Sequence, residues 1–268
     1  MKKIIALLFA VAMMANEAYA YKAFGHQTIA ALAEKHMTEK AKSEVKSILN
    51  ASMIKHAMSL YSLRNNPQLV HTQEWQYATL NAEGKSVTTY ENDAVVALER
   101  AVEVLRNRKN ESDSLVQASL RTVVQVVGDI HNLANIRIEG KEATKGFDFT
   151  LYAVTKGSSA GEKMIKRKNS WRALWHNYTN RHDVFSPQYY ASDIELCYGS
   201  KKAEYEKGTP RFWAENVGED VVRCLKVIYP DVLIPTEIEH RYEDINDKCM
   251  AKAGYRLAAL LNDIFGAK

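Results

Sequence analysis

The chain has 268 residues, of which 46% are hydrophobic and 25% charged, and its formal net charge is +4. This length is sufficient for one domain with a sizeable core. So small a charge is no argument for a nucleic-acid-binding footprint, which usually needs a concentrated basic face.

The first twenty residues are typical of a secretory signal. Two lysines precede a short apolar core at residues 4–15, and Ala18 and Ala20 fit the small-x-small rule for signal cleavage. That core is shorter than the roughly 20 residues that a membrane span requires. We therefore predict a signal peptide over residues 1–20, one domain over residues 21–268, no membrane span, and a periplasmic or secreted location.

Apolar residues recur at helical spacing along most of the remaining chain. The predicted helices cover residues 29–49, 93–105, 115–130, 161–178, 212–229 and a C-terminal segment in which Leu257, Leu260, Leu261, Ile264 and Phe265 share one face. The valines of the third segment also suit a strand, but its apolar pattern is longer than most strands. The pattern breaks between about 132 and 158, which predicts a loop or short hairpin. The predicted fold is all-α, a single domain of packed helices.

Three cysteines, Cys197, Cys224 and Cys249, leave two alternatives open. In an exported protein two of them could form a disulfide and leave one free thiol. They could equally be buried as small apolar side chains.

The segment 123–131 places Asp129 inside an almost wholly apolar run. A helix that is apolar nearly all round is usually buried, and a buried charge must be paired, bound to metal or neutralised. The partner of Asp129 therefore largely decides whether the protein is an enzyme.

Several motifs together resemble one family. They are an aromatic residue at position 21, Gly25-His26, Gly128-Asp129-Ile130-His131, Trp213-Ala214-Glu215 and the tail from Gly254 to Asn262. This combination resembles the S1/P1 nucleases, which are zinc-dependent and prefer single strands, and the related zinc phospholipases C. The resemblance implies an α-helical domain with three zinc ions held by nine ligand positions.

Carried over residue by residue, the resemblance keeps some ligands and replaces others. Tyr21 (through its amine and carbonyl), His26 and Asp129 match ligand positions of the family. Six of the nine positions have changed type, namely Tyr61, Gln76, Gln125, Asn135, Arg172 and His176. Glutamine and asparagine amides replace imidazole poorly on zinc, and an arginine cannot deprotonate to bind a cation, so only His176 is a plausible ligand among the replacements. The resemblance therefore implies a degenerate member, a pseudoenzyme-like chain that lacks most zinc ligands.

Three hypotheses are open for Asp129. In the first, Arg172 replaces the metals as counter-charge and the amides of Gln76, Gln125 and Asn135 complete a polar network. In the second, one zinc survives on Tyr21, His26 and Asp129. In the third, Asp129 pairs with the α-amine and no metal is involved. At most one zinc is expected, and none is equally plausible.

The function predicted from these residues is a catalytically impaired nuclease-like protein that acts as a binding or interaction module. Nucleotides, phosphate esters and single-stranded nucleic acid are its predicted ligands, and its oligomeric state is open. The alternative is a phosphodiesterase or endonuclease that uses a single metal; no catalytic residue is assigned. His131 is predicted to be structural, the lysine-rich run 163–168 to be a solvated face, and Trp171 and Trp175 to be core residues.

Overall fold

Most of the described chain is helical, which confirms the predicted fold class. The computed structural model describes residues 23–58, 67–87, 89, 91–156, 162–177 and 185–266. The predicted signal peptide, Tyr21 and Tyr61 lie outside these residues.

The α-helices, in chain order, are α1 (Ala23–His36), α2 (Glu39–Leu49), α3 (Met53–His56), α4 (Ala94–Arg106), α5 (Asp113–Ile130), α6 (Trp171–Asn177), α7 (Pro187–Tyr198), α8 (Lys202–Tyr205), α9 (Pro210–Leu225) and α10 (Ile238–Phe265). Short 3-10 helices span Pro67–Gln76, Arg108–Asn110, Leu133–Asn135, Glu142–Lys145 and Gly199–Lys201. None of the helices in the described part of the chain combines the length and the apolar character that crossing a bilayer needs.

The strands form two small sheets. They are β1 (Ala78–Leu80), β2 (Ile136–Ile138), β3 (Asp148–Lys156), β4 (Glu162–Ser170) and β5 (Leu233–Pro235). β1 pairs with β2 in parallel, while β3 lies between an antiparallel β4 and a parallel β5. β4 is therefore an edge strand of its sheet.

Local signals set the helix ends. The segment predicted as one helix over residues 29–49 is two helices, because Thr38 caps α2 by accepting a hydrogen bond from the Ala41 amide. Ser112 caps α5 in the same way through the Leu115 amide. α9 begins with Pro210 at its first turn, where a proline costs no intrahelical hydrogen bond.

The core lies around α5 and α10. α5 packs against α4, α2 and α10, and α1 packs along α10. Gly254 allows α1 and α10 to approach closely, since a Cβ at this position would lie 2.6 Å from Leu32 Cδ2. Trp171 and Trp175 are fully buried, which confirms their predicted core role.

One predicted helix is wrong over most of its length, and burial, one of the two alternatives for the cysteines, is confirmed for Cys224 and Cys249. Residues 162–170 of the predicted helix 161–178 form β4, because this segment pairs along its whole length with β3. Only residues 171–177 of that predicted helix are helical. The three cysteines are free, and the burial of Cys224 and Cys249 raises the pKa of each thiol to about 12.

Candidate functional site

The candidate site lies at the C-terminal end of α5. The side chains of Gln125 and Asp129 are one helical turn apart and share a face of the helix. Both residues are 0% exposed, and Asn135 beyond the helix end is 2% exposed. The 3-10 turn Leu133–Asn135 brings Asn135 back onto α5, because the Asn132 side chain caps that turn by accepting from the Ala134 amide.

Two amides face the Asp129 carboxylate. Gln125 Nε2 lies 3.5 Å from Asp129 Oδ2, and Asn135 Nδ2 lies 3.4 Å from Asp129 Oδ1. Asn135 Nδ2 also donates to the Asp129 carbonyl at 3.1 Å. In both contacts the amide N–H group faces a carboxyl oxygen, which accepts. Each oxygen of the buried acid is therefore approached by a neutral amide donor.

The first helix supplies the third contact. His26 Nε2 lies 3.4 Å from Asp129 Oδ1, and both side chains are fully buried. Gly128 makes this approach feasible: a Cβ on it would lie 2.6 Å from His26 Nδ1 and 2.8 Å from His26 Cε1. The motifs Gly25-His26 and Gly128-Asp129 are thus two halves of one contact between α1 and α5.

The contacts of Arg172 differ from those that the first hypothesis predicts. Its guanidinium donates to the Tyr77 hydroxyl at 2.8 Å, and its Cζ lies 5.3 Å from the centroid of the Tyr77 ring. On the same tyrosine, Arg137 stacks with its Cζ 3.6 Å from the ring centroid. The contacts described for Asp129 are with His26, Gln125 and Asn135, so a direct Arg172–Asp129 pair is not supported.

His131 is a structural residue, as predicted. It is fully buried, and burial together with the neighbouring Arg256 guanidinium holds its pKa well below its usual value. The neutral ring donates from Nδ1 to the Val127 carbonyl at 2.6 Å and accepts at Nε2 from Arg256 at 2.7 Å. Because its Nε2 accepts from a guanidinium, this imidazole is not directed at a metal.

Sequence reasoning missed the role of Arg256. This residue is 2% exposed, and burial lowers the pKa of its guanidinium to about 10. Its Nε donates to the Tyr205 carbonyl at 2.9 Å, and its Cζ lies 5.6 Å from the Trp213 ring centroid. Arg256 therefore connects α10 to His131 at the end of α5 and to Trp213 in α9. The signal was an arginine within the apolar tail pattern Gly-Tyr-Arg-Leu.

Several positions of the carried-over ligand set remain predictions. Tyr21 and Tyr61 lie outside the described residues, as does the side chain of His176. Gln76 ends the 3-10 helix Pro67–Gln76 and is partly buried beside Tyr77. The structure thus gathers Gln125, Asn135 and His26 around Asp129 and places Arg172 against Tyr77 instead.

The donors among the described residues do not fit a three-zinc centre. Within the described ranges, no group of three or more His, Cys, Asp or Glu side chains is placed to hold a metal ion. Gln125 and Asn135 direct N–H groups, which cannot coordinate a cation, at the carboxylate. The His26–Asp129 pair differs, because two ligands of a tetrahedral zinc with bonds of about 2.0–2.1 Å lie about 3.3 Å apart. The observed 3.4 Å is close to that spacing.

Comparison with known protein families gives a match over the N-terminal part of the chain. Residues 21–133 match the sequence model of the S1/P1 nuclease family. The matched range includes His26, Gln125, Asp129 and His131, so it contains most of the site described above. A search of curated proteins found no match.

Proposed function

We propose, from the match of residues 21–133 to the S1/P1 nuclease family, that this chain is an exported nuclease-like protein whose zinc centre has become a hydrogen-bonded polar core. The family match itself supports a nuclease-like function. The finer proposal is that the protein binds a ligand of the nuclease class, such as single-stranded nucleic acid or a phosphate ester, without cleaving it. Export follows from the predicted signal peptide over residues 1–20.

One observation carries the proposal. Each carboxylate oxygen of the buried Asp129 is approached by an amide N–H, from Asn135 at Oδ1 and from Gln125 at Oδ2. Metal-assisted phosphodiester cleavage uses cations at this kind of position to activate water and to neutralise charge that develops on the phosphoryl group. Neutral amides carry no positive charge, so they can neither activate water nor neutralise the phosphoryl group as the metal ions would.

The runner-up function is a phosphodiesterase with one metal ion. The spacing of His26 Nε2 and Asp129 Oδ1 favours it, because these atoms could form one edge of a zinc tetrahedron. Two further donors would be needed, and the amine and carbonyl of Tyr21 are the candidates after cleavage at Ala20. In that case these four donors would hold the ion, which would supply Lewis-acid chemistry when bound.

A polar cavity beside Tyr77 gives little support for a phosphate ligand. It has a volume of about 440 Å³. Its charged lining residues are Glu74, Asp93, Glu139, Glu142, Arg137 and Lys145. Four carboxylates against two cations repel an anion, so the ligand must be sought by binding assays over the whole surface.

The test begins with protein purified after export, with its N-terminus checked by mass spectrometry. We expect cleavage after Ala20, well under one zinc per chain, and no metal-dependent cleavage of single-stranded DNA. We also expect measurable binding of that DNA at low salt. One tightly bound zinc per chain with chelator-sensitive cleavage would establish the single-metal phosphodiesterase. An absence of DNA binding would reject the proposed role as a binding module.

A matched variant tests the donor argument directly. Gln125→His with Asn135→His returns two imidazoles to the surroundings of Asp129, and we expect the bound zinc per chain to rise. Ser119→His with Gln117→His, on the N-terminal half of α5, is the control for added histidines. Equal zinc uptake by both variants would show that the amides at Asp129 are not what excludes the metal.

A further inference from the structure

The β3–β4 hairpin extends beyond the core that anchors it. Phe149 and Leu151 at its base are buried, and β5 pairs with β3 only over residues 150–152. Beyond this point the described side chains are exposed or partly exposed. We call residues 153–155 and 163–166 the hairpin end.

The hairpin end exposes aliphatic side chains on both faces. Val154, Met164 and Ile165 are 50%, 49% and 50% exposed. Val154 lies directly opposite Met164, so these two share one face, whereas Ile165 is opposite Ala153 and points to the other face. If either face of the hairpin end packed on the core, the aliphatic side chains of that face would be buried. Because the aliphatic side chains of both faces are exposed, the hairpin end is available for contact with a partner.

Cations lie among these aliphatic residues. Lys163 shares the face of Ile165, Lys166 shares the face of Met164, and both lysines are exposed. Arg167 is held by Glu239 at the start of α10 at 2.9 Å, which fixes the base of β4. Lysine stems lie along apolar surfaces while their ammonium groups reach outward to charged groups.

The combination of charge and aliphatic surface selects the partner. Lysines on an edge strand oppose pairing with a second copy of the chain. Proteins usually bind single-stranded nucleic acid by stacking its bases on aromatic side chains, whereas the half-exposed residues of the hairpin end are aliphatic. Aliphatic groups flanked by lysines match the boundary between acyl chains and anionic headgroups. We propose that the hairpin end docks the protein onto an anionic lipid surface.

Vesicle co-sedimentation of the exported protein tests this proposal. We expect binding to vesicles of 3:1 phosphatidylcholine and phosphatidylglycerol, and little binding to phosphatidylcholine alone. Because each lysine near an anionic surface contributes about 1 kcal/mol, Lys163→Gln with Lys166→Gln should weaken the partition by about 25-fold. Met164→Ser with Ile165→Ser keeps every charge and should weaken it by at least about tenfold.

The matched control removes two lysines far from the hairpin. Lys46→Gln with Lys109→Gln changes exposed residues of α2 and of the 3-10 helix Arg108–Asn110, outside the hairpin. Arg108, the neighbour of Lys109, donates to the carbonyl of Ile264 at the C-terminal end of α10. Glu239, which holds the base of β4, lies at the N-terminal end of this helix, and the 28 residues of α10 span about 42 Å. The control should reduce binding less than threefold, and thermal melts should be unchanged in all three variants.

Three outcomes would overturn the proposal. The protein fails to sediment with anionic vesicles, or the control loses as much binding as the hairpin variants. In the third, the serine variant binds vesicles as well as the wild type while the glutamine variant loses both vesicles and single-stranded DNA. That last result would make the hairpin end a general polyanion site. None of these outcomes depends on whether Asp129 binds zinc.

Discussion

Gly128→Ala is the most direct test of how the buried site is assembled. The added Cβ would lie 2.6 Å from His26 Nδ1 and 2.8 Å from His26 Cε1, where ordinary contacts begin at 3.4 Å. His26 is 1% exposed and therefore has little room to retreat. The substitution must push the imidazole away from Asp129 or separate α1 from α5.

The size of the effect follows from three contributions. Overpacking in a core costs about 1–3 kcal/mol. Loss of one partner from a buried polar contact costs about 1–3 kcal/mol when the separation is complete. Alanine in place of glycine returns about 1 kcal/mol of helix propensity. A partial displacement of His26 should therefore lower the free energy of unfolding by about 2–4 kcal/mol.

A double-mutant cycle separates the clash from other effects of the new methyl group. In a His26→Ala background the ring is absent, so Gly128→Ala should be neutral or should stabilise the protein by up to about 1 kcal/mol. Urea denaturation followed by circular dichroism in the far ultraviolet measures each free energy. Gly218→Ala is the control, because its Cβ would meet Leu80 and Ile136 rather than His26, and its cost should be the same in both backgrounds. An equal penalty for Gly128→Ala with and without His26 would refute the reasoning.

Two further predictions concern buried polar groups outside the Asp129 site. His131→Leu removes the partner of Arg256 and should lower the free energy of unfolding by about 2–4 kcal/mol, measured by urea denaturation; Arg256→Met in the same chain should recover part of that loss. Burial raises the pKa of Asp247 to about 6 although the Tyr190 hydroxyl donates to its carboxylate. Because the folded state binds this proton more tightly than the unfolded state, stability should fall as the pH rises from about 4 to about 6. Asp247→Asn should flatten that dependence in thermal melts, and an unchanged slope would contradict the assignment.

The sequence predicts the helices of the core better than the sheet. α5 and the end of α10 carry apolar residues at a spacing that few other structures satisfy, and both are helical. β4 has no such signal: six consecutive residues from Lys163 to Lys168 are exposed, so burial imposes no alternation on them. Its strand structure depends on pairing with β3, which is a relation between two segments.

The site shows the same division between local and long-range information. Gln125 and Asp129 share a helix face by their spacing alone, so their contact is a property of the sequence. The position of Arg172 depends on how α6 packs against the 3-10 turn Leu133–Asn135, and its guanidinium donates to the hydroxyl of Tyr77, which is distant in sequence. The family motifs identified the residues of this site. They could not predict the partner of Arg172, because its guanidinium has several available acceptors.

If the site has lost its metal as proposed, the amides around Asp129 act together, and we expect that one substitution alone would not restore a metal centre. Asp129 is fully buried, so its carboxyl oxygens need hydrogen-bond donors wherever no cation is bound. Asn135 supplies them through two bonds from one amide nitrogen, to the backbone and to the side chain of Asp129. The single substitution Asn135→His would remove both bonds at the same time and leave the Gln125 N–H facing the other oxygen. We therefore expect the paired histidine variant to bind more zinc per chain than either single substitution, and equal uptake by the single and paired variants would contradict this reasoning.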